Sequence, residues 1–310
     1  MAVLRSLLIQ ASQSEALERQ ITTRRFTRGL ALRYIAGEHL DDGLRVARKL
    51  VAQGKTVTLD YLGEAVTGPD EARAASKVVL EALDRIGQES LPAGLSVKPT
   101  QMGLGMAADQ RGELCRELLG DIAAASERVG ADLTLDMEGS DVTEATVALV
   151  EDLHKAGHRN VGCAVQTYLH RTRADCKRLS GMEASLRLCK GAYAEPPDIA
   201  YQSGLEVDRS FADCADYLLA HGTYPRIATH DARLMEYVKR AVARLGLARD
   251  AFEFQMLYGI RPSLQDALVR EGYRLRIYVP FGSQWFPYFM RRLAERPANL
   301  LFFLRALRDT

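Results

Sequence analysis

Eight short apolar runs recur along the chain, each followed by a polar cluster and a longer helix-favouring stretch, and this rhythm limits the fold more than any other feature. The runs lie at 56–66 (TVTLDYLGEAV), 94–100 (GLSVKPT), 132–139 (DLTLDMEG), 160–169 (NVGCAVQTYL), 185–193 (SLRLCKGAY), 225–231 (PRIATHD), 252–257 (FEFQML) and 275–282 (LRIYVPFG). Parallel strands need a crossover of about a dozen or more residues, usually a helix. Eight strands alternating with helices fit an α/β fold of the (βα)8 TIM-barrel type better than an open doubly wound sheet, which stays as the alternative. Residues 1–53 carry Leu, Ile and Ala at helical spacing among Arg and Glu, so an N-terminal helical segment is expected before a barrel spanning 54–310.

At 310 residues, 47% hydrophobic and 26% charged, the chain has enough apolar surface for a large core and too much for a disordered protein. Lysine plus arginine (41) nearly balances aspartate plus glutamate (40), so no overall field draws nucleic acid and none is expected as a partner. Cys115, Cys163, Cys176, Cys189 and Cys214 form no CxxC pair, so no metal site is expected and the thiols read as reduced and buried. The opening MAVLRSLLIQASQSEALERQ is too briefly apolar for a signal peptide or a spanning helix. A cytoplasmic protein with at most peripheral membrane contact is the expectation.

Chemistry in such barrels sits where the strands end and the loops begin. The residues delivered there are Asp60 and Glu64, Lys98, Asp136, Gln166, Arg187 and Lys190, Thr229 and His230, Gln255, and Tyr278. Taken singly each is more simply a loop residue or a cap; their convergence on one mouth argues for a site. Pro287 suits the first turn of a last helix and Pro297 ends it, which places the helix from about Phe286 to Arg296. Tyr288, Arg291, Arg292 and Glu295 then share one face, at i, i+3, i+4 and i+7. Two guanidinium forks beside a tyrosine suit a small carboxylate, with a surface stripe neutralised by Glu295 as the alternative. No GxGxxG or GxxxxGK[ST] motif follows a strand. Arg187 and Lys190, with Gly191 next to them, would serve a pyrophosphate or an electron-rich ring edge; solvated cations at a strand end are the plainer reading.

The segments SVKP, LDMEG, VQTYLHR, RLCKGAYAEP, ATHD, FEFQMLYG and YVPFG followed by YFMRRLAE resemble, in order and spacing, the proline dehydrogenase family in its monofunctional bacterial form, over roughly 56–305. The resemblance implies a flavoprotein with a distorted (βα)8 barrel that oxidises L-proline to Δ1-pyrroline-5-carboxylate, the first step of proline catabolism to glutamate. It implies hydride transfer from proline C5 to N5 of FAD, with electrons passed to a membrane quinone from the inner face of the bacterial membrane. By the same resemblance Arg291 and Arg292 clamp the proline carboxylate beside Lys98, and Tyr278, Tyr288 and Leu257 pack the ring. Asp136 and Arg187 complete the catalytic site, and a Glu64–Arg291 ion pair gates the pocket. Met137, Gln166, Arg187, Lys190, Gly191, Ala192, Thr229 and His230 would hold the FAD. Two positions depart from the family pattern: Ala194 stands where many members have tryptophan, and Asp231 where others have asparagine. With the chain ending at Thr310, a separate pyrroline-5-carboxylate dehydrogenase is expected downstream. The residues alone leave two other readings open: a Schiff-base aldolase using Lys98 or Lys190, with the arginine pair on a phosphate, and a non-catalytic barrel that binds an amino acid.

Overall fold

Side chains alternate between the two faces of a strand, and here the two faces differ in chemistry. In the computed structural model, which describes residues 29, 31–64, 66–106 and 112–294, eight parallel strands close in sequence order into one barrel. They are β1 (Thr56–Tyr61), β2 (Ala93–Val97), β3 (Leu133–Leu135), β4 (Val161–Gln166), β5 (Leu186–Cys189), β6 (Arg226–Ala228), β7 (Glu253–Leu257) and β8 (Leu275–Phe281). The open-sheet alternative is thereby excluded. Val57, Leu59, Leu95, Leu133, Val161, Leu188, Phe254 and Ile277 belong to the main hydrophobic core. Their neighbours in sequence bond across the inside of the barrel. Arg187 of β5 reaches Ser96 of β2 at 3.1 Å, and Arg226 of β6 reaches Thr134 of β3 at 2.9 Å. Contacts between strands that are not adjacent must cross the interior, so the barrel has a polar centre inside an apolar jacket.

The crossovers supply that jacket. They are α2 (Pro69–Gln88), α3 (Glu113–Arg128), α4 (Ser140–Lys155), α5 (Thr172–Ser180), α6 (Gly204–His221), α7 (Ala232–Arg244) and α8 (Pro262–Arg270), with α1 (Leu40–Val51) before the first strand and α9 (Phe286–Ala294) after the last. Helix α1 lies so close to the β8–β1 seam that a Cβ on Gly43 would stand 3.2 Å from the Phe281 ring and 3.5 Å from Leu59. The four cysteines Cys115, Cys163, Cys176 and Cys214 are buried and Cys189 is half-buried, all as free thiols. Glu295, Arg296 and the helical content expected before residue 29 lie outside the described residues. Among the described residues no helix is long and apolar enough to cross a membrane, and no group of His, Cys, Asp and Glu could hold a metal ion.

Candidate active site

At the C-terminal mouth four strands and their loops converge on one carboxylate. Asp136, just past β3, accepts through Oδ1 from Ser96 Oγ and from Arg187 Nη1, both at 2.5 Å, and through Oδ2 from the Tyr278 hydroxyl at 2.6 Å. Lys98 Nζ stands 2.8 Å from Asp60 Oδ1 and 3.7 Å from Asp136 Oδ2. Burial alone would push the Asp136 carboxyl up, but Arg187 and Lys98 outweigh it and hold it below the usual carboxylate range. At Asp60 burial wins and the carboxyl rises, in keeping with a buried Oδ2 that has no hydrogen-bond partner. Burial also works to discharge Lys98, yet Asp60, Asp136 and Glu64 together push its ammonium well above the ordinary lysine value. A Schiff-base lysine needs the opposite shift, so the aldolase reading loses its nucleophile at Lys98.

Arg187 is held on two sides: Nε donates to Gln255 Oε1 at 2.7 Å, and Nη1 serves Ser96 and Asp136. Its Nη2 is buried with no hydrogen-bond partner, a donor available to a ligand. The guanidinium also lies 5.1 Å from the centre of the Tyr278 ring. Burial and the neighbouring carboxylates Asp136 and Asp60 keep the Tyr278 phenol protonated, so it acts as a donor.

Helix α9 brings the second half of the site. Arg291 and Glu64, from the loop after β1, form a two-pronged pair, Nη1 to Oε2 at 3.0 Å and Nη2 to Oε1. Burial opposes the charge on both partners, and the pairing outweighs it: Glu64 is lowered and Arg291 raised. Arg292 and Tyr288 are buried, with the guanidinium 5.2 Å from the tyrosine ring centre. The stripe on α9 therefore faces inward, which removes the surface-stripe alternative.

The remaining site residues line the ends of β3 to β7. Gln166 ties two loops together, donating to the Glu138 carbonyl at 2.8 Å and accepting from the Ala192 amide at 3.4 Å, with Met137 buried in the same loop. Gly191 has φ +108°, and a Cβ there would fall 2.1 Å from the Tyr168 ring, so the protein's own packing already demands glycine. Lys190, about a third exposed, pairs with Asp208 at 2.6 Å and Asp231 at 3.2 Å. Asp231 also caps α7 through the Arg233 amide, and Thr229 accepts from the Asp231 amide at 3.1 Å. An aspartate here thus supplies charge to Lys190 that an asparagine would not. His230 Nε2 accepts from the Leu257 amide at 2.9 Å, which places the ring proton on Nδ1 and the ring against the end of β7.

Three participants escaped the list of strand-end residues. Ser96 is two before Lys98 on the same face of β2, a period-two signal that marks it as inward. Glu253 stands in the same relation to Gln255 on β7. Glu138 follows Asp136 in LDMEG and accepts from the Thr100 amide at 3.1 Å and hydroxyl at 2.6 Å. Burial pushes the Glu138 carboxyl up to about 6. A carboxyl that holds its proton more tightly folded than unfolded costs stability as the pH climbs from its ordinary value past that point. Glu138→Gln, which keeps an acceptor for the Thr100 amide and puts a donor toward the Thr100 hydroxyl in place of the protonated acid's, is expected to stabilise the protein at pH 8 by about 2 kcal/mol at most and to leave it unchanged near pH 4. Thermal melts at the two pH values check it, and a gain at pH 4 as large as at pH 8 would contradict the assignment.

A closed parallel barrel with a buried, charge-paired mouth and an inward arginine pair on the helix after the last strand has the form of a small-molecule enzyme scaffold. Known proteins narrow the class. The model of the proline dehydrogenase family matches residues 43–305. The chain is 36% identical over 281 residues to proline dehydrogenase 1 of Bacillus subtilis strain 168, covering 91% of each. It is 35% identical over 280 residues to the proline dehydrogenase of Deinococcus radiodurans, covering 90% of each. The crystal structure of proline utilization A from Bdellovibrio bacteriovorus superimposes with a TM-score of 0.82 at 25% identity, over 94% of this chain and 36% of that one. This chain belongs to the proline dehydrogenase family.

Proposed function

We propose that the protein oxidises L-proline to Δ1-pyrroline-5-carboxylate with FAD bound across the barrel mouth. The observation that carries the reading is the Asp136 cluster: fixed, buried charges paired with one another, with Arg187 Nη2 left as a donor that no protein atom takes. That leftover donor fits an acceptor atom on a flavin edge. The part-exposed Lys190 and the tight turn at Gly191 fit the rest of the same molecule. Bound there, FAD would supply the acceptor, at N5, for the hydride from proline C5, the proline nitrogen giving up its proton, and a membrane quinone would take up the electrons.

The chain's own residues bind and orient. Arg292 and Arg291 clamp the proline carboxylate, with Lys98 as a third cation. Because Arg291 already holds the Glu64 carboxylate, the substrate exchanges one carboxylate for another and Arg291 is neutralised in both states. Glu64 is thus a placeholder and a gate. Tyr278, Tyr288 and Leu257 pack the ring, and Asp136 holds Arg187 and Tyr278 in place. Met137, Gln166, Lys190, Gly191, Ala192, Thr229 and His230 hold the cofactor. On this reading residues 1–53 form an N-terminal segment ahead of a catalytic barrel at 54–310. The protein meets the inner face of the bacterial membrane peripherally, and the product passes to a separate pyrroline-5-carboxylate dehydrogenase.

The test is an absorbance spectrum before and after L-proline. A yellow protein bleached by proline is expected; a colourless protein, or one that binds proline without bleaching, would overturn the reading. Lys190→Ala is expected to lower flavin content per chain, measured by absorbance ratio after gel filtration. Stoichiometric FAD in that variant would remove Lys190 from the cofactor set.

A further inference from the structure

Behind Arg187 the polar interior of the barrel continues away from the mouth as a chain of directed hydrogen bonds. Gln255 Oε1 accepts from Arg187 Nε at 2.7 Å, and Gln255 Nε2 donates to Glu253 Oε1 at 2.6 Å. Glu253, 1% exposed, accepts at the same oxygen from Arg276 Nε at 2.6 Å, while Oε2 accepts from the Tyr224 hydroxyl at 3.3 Å. Arg276 is anchored in turn by the Val57 carbonyl at 3.1 Å and by Asp132 at 2.9 Å. The two ends of a glutamine amide are nearly isosteric, so packing alone does not choose its orientation. A carboxylate on one side and a guanidinium on the other do choose it. Glu253 accepts only, so the NH2 end must face it; the oxygen must then face Arg187.

We infer that Gln255 and Glu253 are positioning residues for the reaction: together they fix the Arg187 guanidinium so that Nη2 is presented as the one donor not consumed inside the protein. Nη1 is committed to Ser96 and Asp136, and Nε to Gln255. Without the Nε anchor the guanidinium pivots about its Asp136 bond, and a donor meant for a fixed atom is spread over several directions. The inference rests on the flavin reading of the site.

The experiment compares FAD-loaded parent protein with Gln255→Met, which keeps the side-chain length and removes both hydrogen bonds, and with Gln255→Asn, which keeps the amide but is too short to bridge Arg187 and Glu253. In both, kcat for proline is expected to fall about tenfold or more while KM changes less. The flavin midpoint potential should move in the negative direction, since an aimed donor favours the electron-rich reduced ring. Folded, FAD-replete variants with the parent's kcat and potential would overturn the inference. So would variants that lose FAD while still folded, or that fail to fold at all, because the pair would then be a strut of the barrel. A parent protein that binds no flavin overturns the flavin reading and this one together, whereas a flavin-bearing parent with unaffected variants overturns this one alone.

Discussion

Arg292→Ala is expected to raise the KM for L-proline by about 10²-fold or more with FAD content unchanged, because a desolvated carboxylate that loses a charged partner gives up a few kcal/mol. Arg292 is buried in the inward stripe of α9 and stacks on Tyr288, so it cannot be replaced from solvent. Arg291→Ala is expected in the same direction with a second consequence. Glu64 then loses the partner that lowers it, burial takes over, and its carboxyl moves up. Steady-state kinetics with proline as the varied substrate measure both effects. Parent-like KM values in both variants would mean that the clamp lies elsewhere.

Asp136→Ala is expected to abolish turnover and to cost about 3–5 kcal/mol of stability, since removing one member of a buried charge network leaves its partners uncompensated. Asp136 accepts from Ser96, Arg187 and Tyr278 and lies 3.7 Å from the Lys98 ammonium. Lys98 would then keep Asp60 at 2.8 Å, while Arg187 would lose the carboxylate it pairs with. Urea unfolding of the parent and variant gives the stability difference. A variant as stable as the parent would show that Arg187 and Lys98 find other partners, and the network would not have the weight assigned to it. These two variants separate the halves of the mouth. On the proposed reading the α9 arginines act on substrate affinity, whereas Asp136 holds the floor on which cofactor and substrate both rest.

Much of this could be read from the chain before its fold. Each of the eight runs starts within one residue of a strand, since an apolar helix-facing residue alternates with a polar inward one, but most run on into the loop that follows. The run at 160–169 was overlong, because β4 ends at Gln166, where the side chain turns to bridge two loops. The run at 94–100 likewise overshot: Pro99 opens a short 3-10 turn that carries Thr100 to Glu138. The spacing of Tyr288, Arg291 and Arg292 on one helical face was legible too. The direction of that face was not, because helical periodicity says which residues share a side and nothing about what the side meets.

Pairings over long separations were the hardest to read. Glu64 and Arg291 are 227 residues apart, Tyr278 and Asp136 142, and Arg187 and Gln255 68. Spacing carries no information about such pairs. Barrel closure sets them, by bringing strand ends into one ring and forcing inward side chains of non-adjacent strands to share a narrow interior. For Glu64 and Arg291 the resemblance supplied the pair. For Arg187 and Gln255 nothing in the sequence did, and Gln255 stood only among the strand-end residues.

What the amino-acid order determined by itself was local: strand and helix alternation, the inward period of two, the shared face of α9 and the family motifs. What the tertiary structure alone decided was which charges compensate one another. It turned the α9 stripe inward, set Lys98 between two aspartates, and committed every nitrogen of the Arg187 guanidinium but Nη2. The physical reason is that a charge removed from water is tolerable only beside its partners, and in this barrel those partners come from different strands.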